Sequence, residues 1–292
     1  MTPATAAVRI EEGLESALGR ADLGLAPPGL MAAVRHAVFP GGARVRPQLC
    51  LAVAKACGSD NPALAEAAAT AIELLHCASL VHDDLPCFDA ADLRRGRPSV
   101  QKAYGAPLAL LAGDALIVLA FSTLAQAGAG AQTRLAPLIQ VVCRGVGMPN
   151  GIVAGQAWES EVDPPLDLYH QSKTGALFVA ATMAGALASG SDPYPWRALG
   201  ERLGLAYQAA DDLLDALATP QEAGKPTGQD SAHLRPSLVA QLGLRGACER
   251  LESLVGECMD AIPPCEGSRE LKELVALQAT RLTPKGLARS AA

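Results

Sequence analysis

Aspartates in two clusters are the residues of this chain best suited to chemistry. In the first cluster, Asp83, Asp84 and Asp89 stand close together with no lysine or arginine among them, and Asp92 follows. Crowded carboxylates repel one another, and this cost is offset when a hard cation lies among them. Magnesium takes oxygen ligands, typically one or two carboxylates together with substrate phosphates. The cluster therefore predicts a magnesium site, with a solvated acidic helix end as the alternative.

The second cluster consists of Asp211, Asp212 and Asp215, within the otherwise apolar segment YQAADDLLDA. Residues three and four apart share a helix face, so Asp215 lies beside the other two. Gln208, one turn before Asp212, extends the same polar face. Carboxylates buried without a cation would be costly, which argues against a simple salt-bridged surface. We therefore predict two carboxylate walls that hold Mg²⁺ and a diphosphate between them.

Three arginines near the aspartates could bind phosphate. Arg46 follows a Gly-Gly break near a predicted helix start, where anions are favoured, and its planar fork suits a phosphate. Its position alone is equally consistent with a surface arginine. Arg94 and Arg95 adjoin the first Asp cluster, which favours a role in binding over a surface position.

Other polar residues carry a weaker signal. Lys173, followed by Thr174, interrupts an apolar segment, where a lysine is either a ligand-binding residue or one that reaches to the surface. Lys225 lies in a Gly- and Pro-rich loop that is either a lid or plain surface. His76 stands two helical turns before Asp83 on the same face, and both a core and a site position remain open.

Several classes of catalytic site are missing from the sequence. It has no serine-nucleophile elbow, phosphate-binding loop or dinucleotide fingerprint, and no Cys/His zinc pattern. The chemistry would therefore rest on a metal and on electrostatics rather than on a covalent intermediate.

The composition favours a helical protein. Half of the 292 residues are hydrophobic, mostly Ala and Leu, and only 3% are aromatic. The net charge of −6 gives no reason to expect nucleic-acid binding. The eight cysteines are scattered and are expected to be reduced. With no signal peptide, and with Asp114 interrupting the apolar stretch 106–125, we expect a cytoplasmic protein without stable membrane insertion.

Periodicity, prolines and glycines predict the elements that position these residues. Helices are expected over 8–25, 29–38, 47–58, 61–84, 106–127, 133–146, a segment carrying GQAWESE, 166–189, 196–218 and two or three C-terminal segments, with a polar loop over 219–236. We predict a single all-α domain over residues 1–292, with helices stacked around a central cavity.

Taken in order, seven segments resemble the trans-isoprenyl diphosphate synthases. They are GGARVRP, ELLHCASLVHDDLPCFDAADLRRGRPS, LAGDAL, GQAWESE, YHQSKTGALF, YQAADDLLD and GKPTGQD. The first Asp motif has the DDxxxxD spacing of bacterial members, and the second is DDxxD. The resemblance covers nearly the whole chain and is strongest to geranylgeranyl diphosphate synthases of bacterial carotenoid and bacteriochlorophyll pathways.

The resemblance implies an isoprenoid-synthase-type helical bundle, usually a homodimer, with three Mg²⁺ per active site. It implies transfer of an allylic group to isopentenyl diphosphate, followed by proton loss to the departing diphosphate. The implied metal ligands are Asp83, Asp84, Asp89, Asp211, Asp212 and Asp215, which form the catalytic set together with Arg94 and Lys173. Arg94, Lys173, Thr174, Gln208 and Lys225 would hold the allylic substrate, and Arg46, His76 and Arg95 would hold isopentenyl diphosphate.

The chain departs from the family pattern at three places. Ala43 stands where a lysine that grips isopentenyl diphosphate is usual, and Arg44 is a candidate substitute at a different spacing. Ala90 and Ala91 thin the usual acidic run, and Glu159 stands where Asp is common. We expect a weaker isopentenyl diphosphate site from Ala43.

Product length in this family depends on the helix that precedes the first motif. A bulky aromatic residue five positions before the first Asp stops growth early, whereas this chain has Ala78 followed by Ser79. The resemblance therefore predicts a C20 product. The alternatives are a farnesyl or longer-chain synthase, a non-catalytic subunit of a synthase, and a terpene cyclase, although a cyclase would have a different second metal motif.

Overall fold

The computed structural model describes residues 3–58, 61–217 and 237–282, and it confirms the all-α fold. The helices are α1 (Pro3–Ala21), α2 (Pro28–Val38), α3 (Val45–Ala56), α4 (Pro62–Asp83), α5 (Val100–Tyr104), α6 (Ala106–Ala127), α7 (Gln132–Val146), α8 (Ile152–Ala157), α9 (Leu166–His170), α10 (Ala176–Ala188), α11 (Arg197–Leu217), α12 (Leu238–Asp260) and α13 (Ser268–Leu282). A short antiparallel ladder pairs β1 (Leu93–Arg94) with β2 (Arg97–Pro98).

Helix α4 runs through the middle of the bundle and carries the first two aspartates at its C-terminal end. The Asn61 side chain accepts a hydrogen bond from the Leu64 N–H at 3.0 Å, and Pro62 occupies the first turn. The helix is buried on nearly all sides because α3, α6 and α10 pack around it. It ends at Asp83, and Pro86 cannot continue it.

Two glycines of α11 allow this helix to approach its neighbours closely. A Cβ at Gly200 would lie 2.5 Å from the Cα of Val179, and one at Gly204 would lie 2.5 Å from the Cα of Gly175. Neither distance is possible for a real side chain, so these positions require glycine. The close approach brings the helix that bears the second Asp cluster against the segment that bears Lys173 and Thr174.

The predicted helix over 166–189 differs from the observed segment. A regular α-helix does not span it, because residues Gln171–Gly175 form a π-helical turn between α9 and α10. Such wide turns are rare and frequently lie at functional sites. The turn carries Lys173 and Thr174. Local periodicity does not reveal it, since the residues on either side are helical in the usual way.

Other boundaries also shift. Helix α1 covers Pro3–Ala21 rather than 8–25, and the helix of the GQAWESE segment becomes a 3₁₀ turn at Trp158–Ser160, before the segment's last glutamate. The short α5, capped by Ser99, and the β1–β2 ladder were not predicted. Two C-terminal helices are present, with α12 interrupted by Gly243 at φ 69°. The predicted polar loop over 219–236 lies outside the described residues.

Two apolar helical segments are long enough to cross a membrane by length and composition alone, Pro62–Asp83 and Ala106–Gly130. Their surroundings differ, since 78% of the most apolar 18-residue stretch is buried in the first segment and 39% in the second. The first is a core helix of the bundle. All eight cysteines are unpaired thiols, as predicted.

A buried arginine joins the N-terminal helices to α4. The Arg44 guanidinium lies 2.7 Å from Glu73 Oε1 and 2.8 Å from Glu11 Oε1, and it donates to the Val38 carbonyl at 2.8 Å. Burial opposes the charge of Arg44, but the hydrogen bonds and charges of Glu11 and Glu73 raise its pKa above the ordinary value. A Cβ at Gly41 would lie 1.9 Å from Arg44 Cζ, so the first glycine of the motif makes room for this side chain.

This geometry corrects one expectation. Arg44 does not substitute for the lysine that the family carries at position 43, because its guanidinium points into the core and is already paired. The positive φ of 50° at Arg44 turns the side chain inward at the start of α3.

Replacing Arg44 by leucine should lower the free energy of unfolding by about 3–5 kcal/mol, because Glu73 would be left buried without a partner. The double variant Arg44→Leu/Glu73→Leu should recover roughly half of that loss, since it removes the orphaned charge. Urea unfolding followed by circular dichroism measures both.

The matched control is Arg245→Leu, which removes a guanidinium that is 94% exposed and 3.7 Å from Glu249. It should change the free energy of unfolding by less than about 0.5 kcal/mol. A double variant no more stable than Arg44→Leu would contradict the assignment of the loss to Glu73.

Candidate active site

Three carboxylates meet where α4 ends and the α8 segment approaches it. One oxygen from each of Asp83, Asp89 and Glu159 can be chosen so that all three lie within 4.8 Å of one another. The loop after α4 returns at this point, because the Asp89 N–H donates to the Asp83 carbonyl at 3.0 Å. The Asp83 Oδ1 atom is buried and accepts no hydrogen bond. A buried carboxylate oxygen without a donor, facing two further carboxylates, fits a hard divalent cation.

Glu159 was noted in the sequence as a departure from the family pattern but was not included among the predicted ligands. Its carboxylate is 14% exposed and accepts hydrogen bonds from Gln156 Nε2 at 2.7 Å and from the Tyr169 hydroxyl at 2.7 Å. The available signal was its place in the GQAWESE segment. Spacing alone does not connect this segment to Asp83, since 76 residues separate the two.

Lys173 supplies positive charge to the carboxylate cluster. Its Nζ lies 2.6 Å from Glu159 Oε1 and 3.6 Å from Asp83 Oδ1. Gly155 permits this contact, since a Cβ there would lie 2.3 Å from the Lys173 backbone nitrogen. The structure therefore places Lys173 beside the first Asp motif, and its role in binding a substrate stays a prediction.

Asp84 points away from this cluster. Its buried carboxylate binds the Arg94 guanidinium, with Nη2 at 2.5 Å and Nε at 3.0 Å from Oδ1, and Arg94 also reaches Asp83 Oδ2 at 3.4 Å. Burial raises the pKa of Asp84, and the hydrogen bond from Arg94 opposes that rise. The pair fixes the orientation of Arg94 near the mouth of the site. That Asp84 is itself a metal ligand stays a prediction.

The second Asp cluster divides in a similar way. Asp212 is buried, and its oxygens accept from Gln208 Nε2 at 2.8 Å and from the Leu238 N–H at 2.7 Å, which ties the end of α11 to the start of α12. Burial raises its pKa, and the Leu238 and Gln208 hydrogen bonds oppose the rise. Asp211 is exposed and Asp215 is partly buried. Their role as metal ligands also stays a prediction.

A chain of contacts joins the two Asp clusters. The Thr174 hydroxyl donates to Gln208 Oε1 at 2.8 Å, and Gln208 in turn donates to Asp212. Lys173, the neighbour of Thr174, contacts Asp83 on the other side. The π-helical turn therefore lies between the clusters, and the predicted residues Lys173, Thr174 and Gln208 come together there.

Arg46, His76 and Arg95 form a second, positively charged group. Arg46 lies over the Phe178 ring, with Cζ 4.4 Å from the ring centroid, and its Nη1 is 3.4 Å from His76 Nε2. Its Nε is buried without a hydrogen-bond partner. Burial, followed by the charges of Arg46 and Arg95, holds the pKa of His76 well below its ordinary value, so the imidazole is neutral. A buried guanidinium N–H without a partner suits an anion, and binding of isopentenyl diphosphate here stays a prediction.

The Gly41-Gly42 turn borders this group. A Cβ at Gly42 would lie 2.9 Å from Arg95 Cζ, so the glycine leaves space for the Arg95 guanidinium. Ala43 is exposed next to it, and its carbonyl accepts from Gln48 Nε2 at 2.9 Å. A side chain longer than alanine at position 43 would project from the same turn.

The two predicted chain-length residues lie on α4 below the first Asp motif. Ala78 is buried and Ser79 is partly buried, with the Ser79 hydroxyl donating to the His76 carbonyl at 2.8 Å, one turn below Asp83 on α4. Their control of product length stays a prediction. Lys225 and the GKPTGQD segment lie outside the described residues.

Comparisons with known proteins match nearly the whole chain. The polyprenyl synthetase family model matches residues 27–274. The chain is 51% identical over 280 residues to a geranylgeranyl diphosphate synthase of Cereibacter sphaeroides, covering 96% of this chain and 97% of that one. It is also 51% identical to the geranylgeranyl diphosphate synthase of Rhodobacter capsulatus, covering 94% of this chain and 95% of that one.

Solved structures have the same fold. A geranyltransferase from Helicobacter pylori, complexed with magnesium and isoprenyl diphosphate, is 31% identical with a TM-score of 0.81, covering 96% of this chain and 99% of that one. A geranyltransferase from Legionella pneumophila has a TM-score of 0.82 at 27% identity, covering 96% of both chains. With the family model spanning most of the chain and relatives at half identity over nearly their full length, this chain belongs to the polyprenyl synthetase family.

Proposed function

We propose that this protein is a Mg²⁺-dependent geranylgeranyl diphosphate synthase that joins isopentenyl diphosphate head to tail with allylic diphosphates and releases diphosphate. One observation carries the proposal: the Asp83–Asp89–Glu159 carboxylate cluster and the Arg46–His76–Arg95 cationic group lie at the same end of α4. Relatives at 51% identity bear this name, whereas a farnesyl diphosphate synthase of Geobacillus stearothermophilus is 38% identical. The farnesyl alternative therefore has less support.

Two anionic substrates require two differently built subsites. The allylic diphosphate would be held by metal ions at the aspartates and by polar side chains beside them, which are Arg94, Lys173, Thr174 and Gln208. Isopentenyl diphosphate keeps its diphosphate throughout the reaction, so arginines alone can hold it. Arg46, Arg95 and neutral His76 fit that role because, among the described residues, no carboxylate is hydrogen-bonded to Arg46. Lys225, which lies outside the described residues, is proposed to bind the allylic diphosphate as well.

Magnesium is the metal expected in this family, and when bound it would neutralise the diphosphate and ease departure of the leaving group. Asp83, Asp89 and Glu159 offer oxygens for one part of the metal site, and Asp211 and Asp215 stand on the facing helix. We propose three ions in all. Lys173 and Arg94, already at the carboxylates, would then donate to the oxygens of the leaving group.

The protein residues act mainly by holding and orienting the reactants. Thr174 Oγ1 and the Gln208 carbonyl present oxygen dipoles that can stabilise a developing allylic cation. The alkene of isopentenyl diphosphate then attacks C1, and a proton is lost to the departing diphosphate. A dedicated protein base is not required, and burial together with the charges of the nearby arginines lowers the pKa of His76 in the protein without substrate.

We propose that the protein is a cytoplasmic homodimer. Helix α6 leaves Leu110, Leu111 and Val118 exposed on one face, at 48%, 50% and 69%. Asp114, whose side chain is 59% exposed, lies on the same face between Leu111 and Val118, and exposed apolar side chains clustered on one helix face are typical of a subunit interface. The occupant we propose is the same face of a second copy, related by a two-fold axis. A non-catalytic subunit is disfavoured, because both Asp motifs are complete.

The test of this function is an incubation of the purified protein with Mg²⁺, radiolabelled isopentenyl diphosphate and each allylic diphosphate from C5 to C15. A C20 product is expected from every primer, with none after addition of a chelator. Asp83→Asn should lower kcat/KM at least about 100-fold, because a carboxylate of the metal site is lost. Asp163→Asn, at an exposed position outside the site, should leave it unchanged.

Chromatography of the dephosphorylated products separates the outcomes. Accumulation of C15 would favour the farnesyl alternative. An intact protein with no product from any primer would contradict the catalytic assignment and favour the non-catalytic subunit.

Ala43→Lys should lower the KM for isopentenyl diphosphate about threefold to tenfold. The added ammonium would project from the Gly41-Gly42 turn beside Arg95, and a cation at a partly exposed site contributes on the order of 1 kcal/mol. Steady-state kinetics with the allylic substrate held at saturation measure this change.

The KM for the allylic diphosphate is the internal control for Ala43→Lys and should stay constant. An unchanged KM for isopentenyl diphosphate would show that the natural site is not weakened by Ala43.

Ala78→Tyr should shorten the product from C20 to C15 or below. The phenol ring would fill space one turn below Asp83, where the growing chain must pass. The product distribution by chromatography is the measurement, with Ala78→Ser as the small-residue control that keeps C20. Unchanged product length in a folded Ala78→Tyr protein would mean that the floor of the pocket lies elsewhere.

A further inference from the structure

Tyr169 lies beside the carboxylate cluster without belonging to either Asp motif. Its hydroxyl donates to Glu159 Oε1 at 2.7 Å, and the same oxygen lies 2.6 Å from Lys173 Nζ. The Tyr169 ring also faces this lysine, with Nζ 5.9 Å from the ring centroid. The phenol therefore contacts both the carboxylate and the ammonium of the candidate metal site.

The Glu159 carboxylate needs such support because of where it stands in the chain. It lies in the 3₁₀ turn Trp158–Ser160, after α8 has ended, so no helical face fixes its direction. Gln156 binds one oxygen at 2.7 Å, and Tyr169 and Lys173 share the other. Tyr169 is the only one of these three donors that reaches Glu159 from α9.

The Tyr169 hydroxyl becomes important if Lys173 and a metal ion compete for the Glu159 carboxylate. Lys173 lies between Glu159 and Asp83, where its charge partly replaces that of a cation. When the lysine turns to a substrate diphosphate, Glu159 Oε1 loses its closest partner. The Tyr169 hydroxyl is a neutral donor that stays in place, so it keeps the Glu159 carboxylate directed toward Asp83 and Asp89. A second ammonium group in its place would compete with the metal ion.

We propose that Tyr169 is a positioning residue for the metal site, and that it acts by holding Glu159 toward Asp83 and Asp89. The proposal rests on the proposed function, since it takes these three carboxylates to bind a divalent cation. Hydrogen-bond partners of metal-binding carboxylates typically alter metal affinity or activity by about 10–100-fold when removed.

The experiment is a Mn²⁺ titration followed by electron paramagnetic resonance of the free ion, on the full chain, with and without inorganic diphosphate. Tyr169→Phe should weaken Mn²⁺ binding about tenfold. The Mg²⁺ concentration that gives half-maximal activity should rise by a similar factor, while kcat at saturating Mg²⁺ changes less than about twofold. A structural defect alone would lower kcat and the unfolding temperature without this metal dependence.

Two controls separate the roles. Tyr194→Phe makes the same chemical change at a tyrosine that is 66% exposed and should leave Mn²⁺ binding as in the wild type. In a Glu159→Gln background, Tyr169→Phe should have no further effect on Mn²⁺ binding, because the phenol acts through that carboxylate.

Three results would overturn the proposal: Mn²⁺ affinity of Tyr169→Phe within twofold of the wild type, a loss of activity that added Mg²⁺ does not restore, or an equal loss in the Glu159→Gln background. The wild type and Asp83→Asn test the proposed function separately. If Asp83→Asn binds Mn²⁺ as well as the wild type does, the proposed metal site at Asp83 is wrong. If Asp83→Asn abolishes Mn²⁺ binding and Tyr169→Phe leaves it unchanged, the metal site stands and only the role of Tyr169 is refuted.

Discussion

Negative charge concentrated at the ends of two helices is the constraint on which this structure depends. Asp83 is the last residue of α4, and Asp211, Asp212 and Asp215 occupy the final turns of α11. The C-terminal end of a helix already carries partial negative charge, so carboxylates there are doubly unfavourable without cations. Arg94 and Lys173 supply part of the compensation from within the protein. The negative charge that Arg94 and Lys173 leave uncompensated would favour the binding of metal ions together with a diphosphate.

The scaffold meets this demand by dividing each adjacent aspartate pair. Asp84 turns away from the cluster to hold Arg94, and Asp212 turns inward to join α11 to α12. Of their neighbours in sequence, Asp83 faces the candidate metal site and Asp211 is exposed at the surface. One carboxylate of each pair therefore orients its neighbourhood. Neighbouring residues on a helix point in different directions, so two adjacent aspartates can direct one carboxylate to the site and the other to a neighbouring structural partner.

Charge is also separated between the two proposed substrate sites. Arg44, the arginine nearest to Arg46 in sequence, is neutralised by Glu11 and Glu73 in the core, whereas the Arg46 Nε has no hydrogen-bond partner. The first contributes to stability and the second is left for an anion. Because Glu11 and Glu73 pair with Arg44 and not with Arg46, Arg46 is the one of these two arginines that we propose to hold isopentenyl diphosphate.

The sequence by itself determined the all-α fold, the bounds of helices such as α6, and the two Asp motifs, because these depend on composition and on spacing within a few turns. The roles of Lys173, Thr174 and Gln208 came from the family resemblance and stay predictions, although the structure places Thr174 against Gln208 and Lys173 against Asp83. Only the tertiary structure placed Glu159 against Asp83, turned Arg44 into the core, and widened the turn at Gln171–Gly175. Each of these results from contacts between segments distant in sequence. Periodicity describes which face of a helix is apolar, but the distance between two oxygens on different helices is decided by how those helices pack.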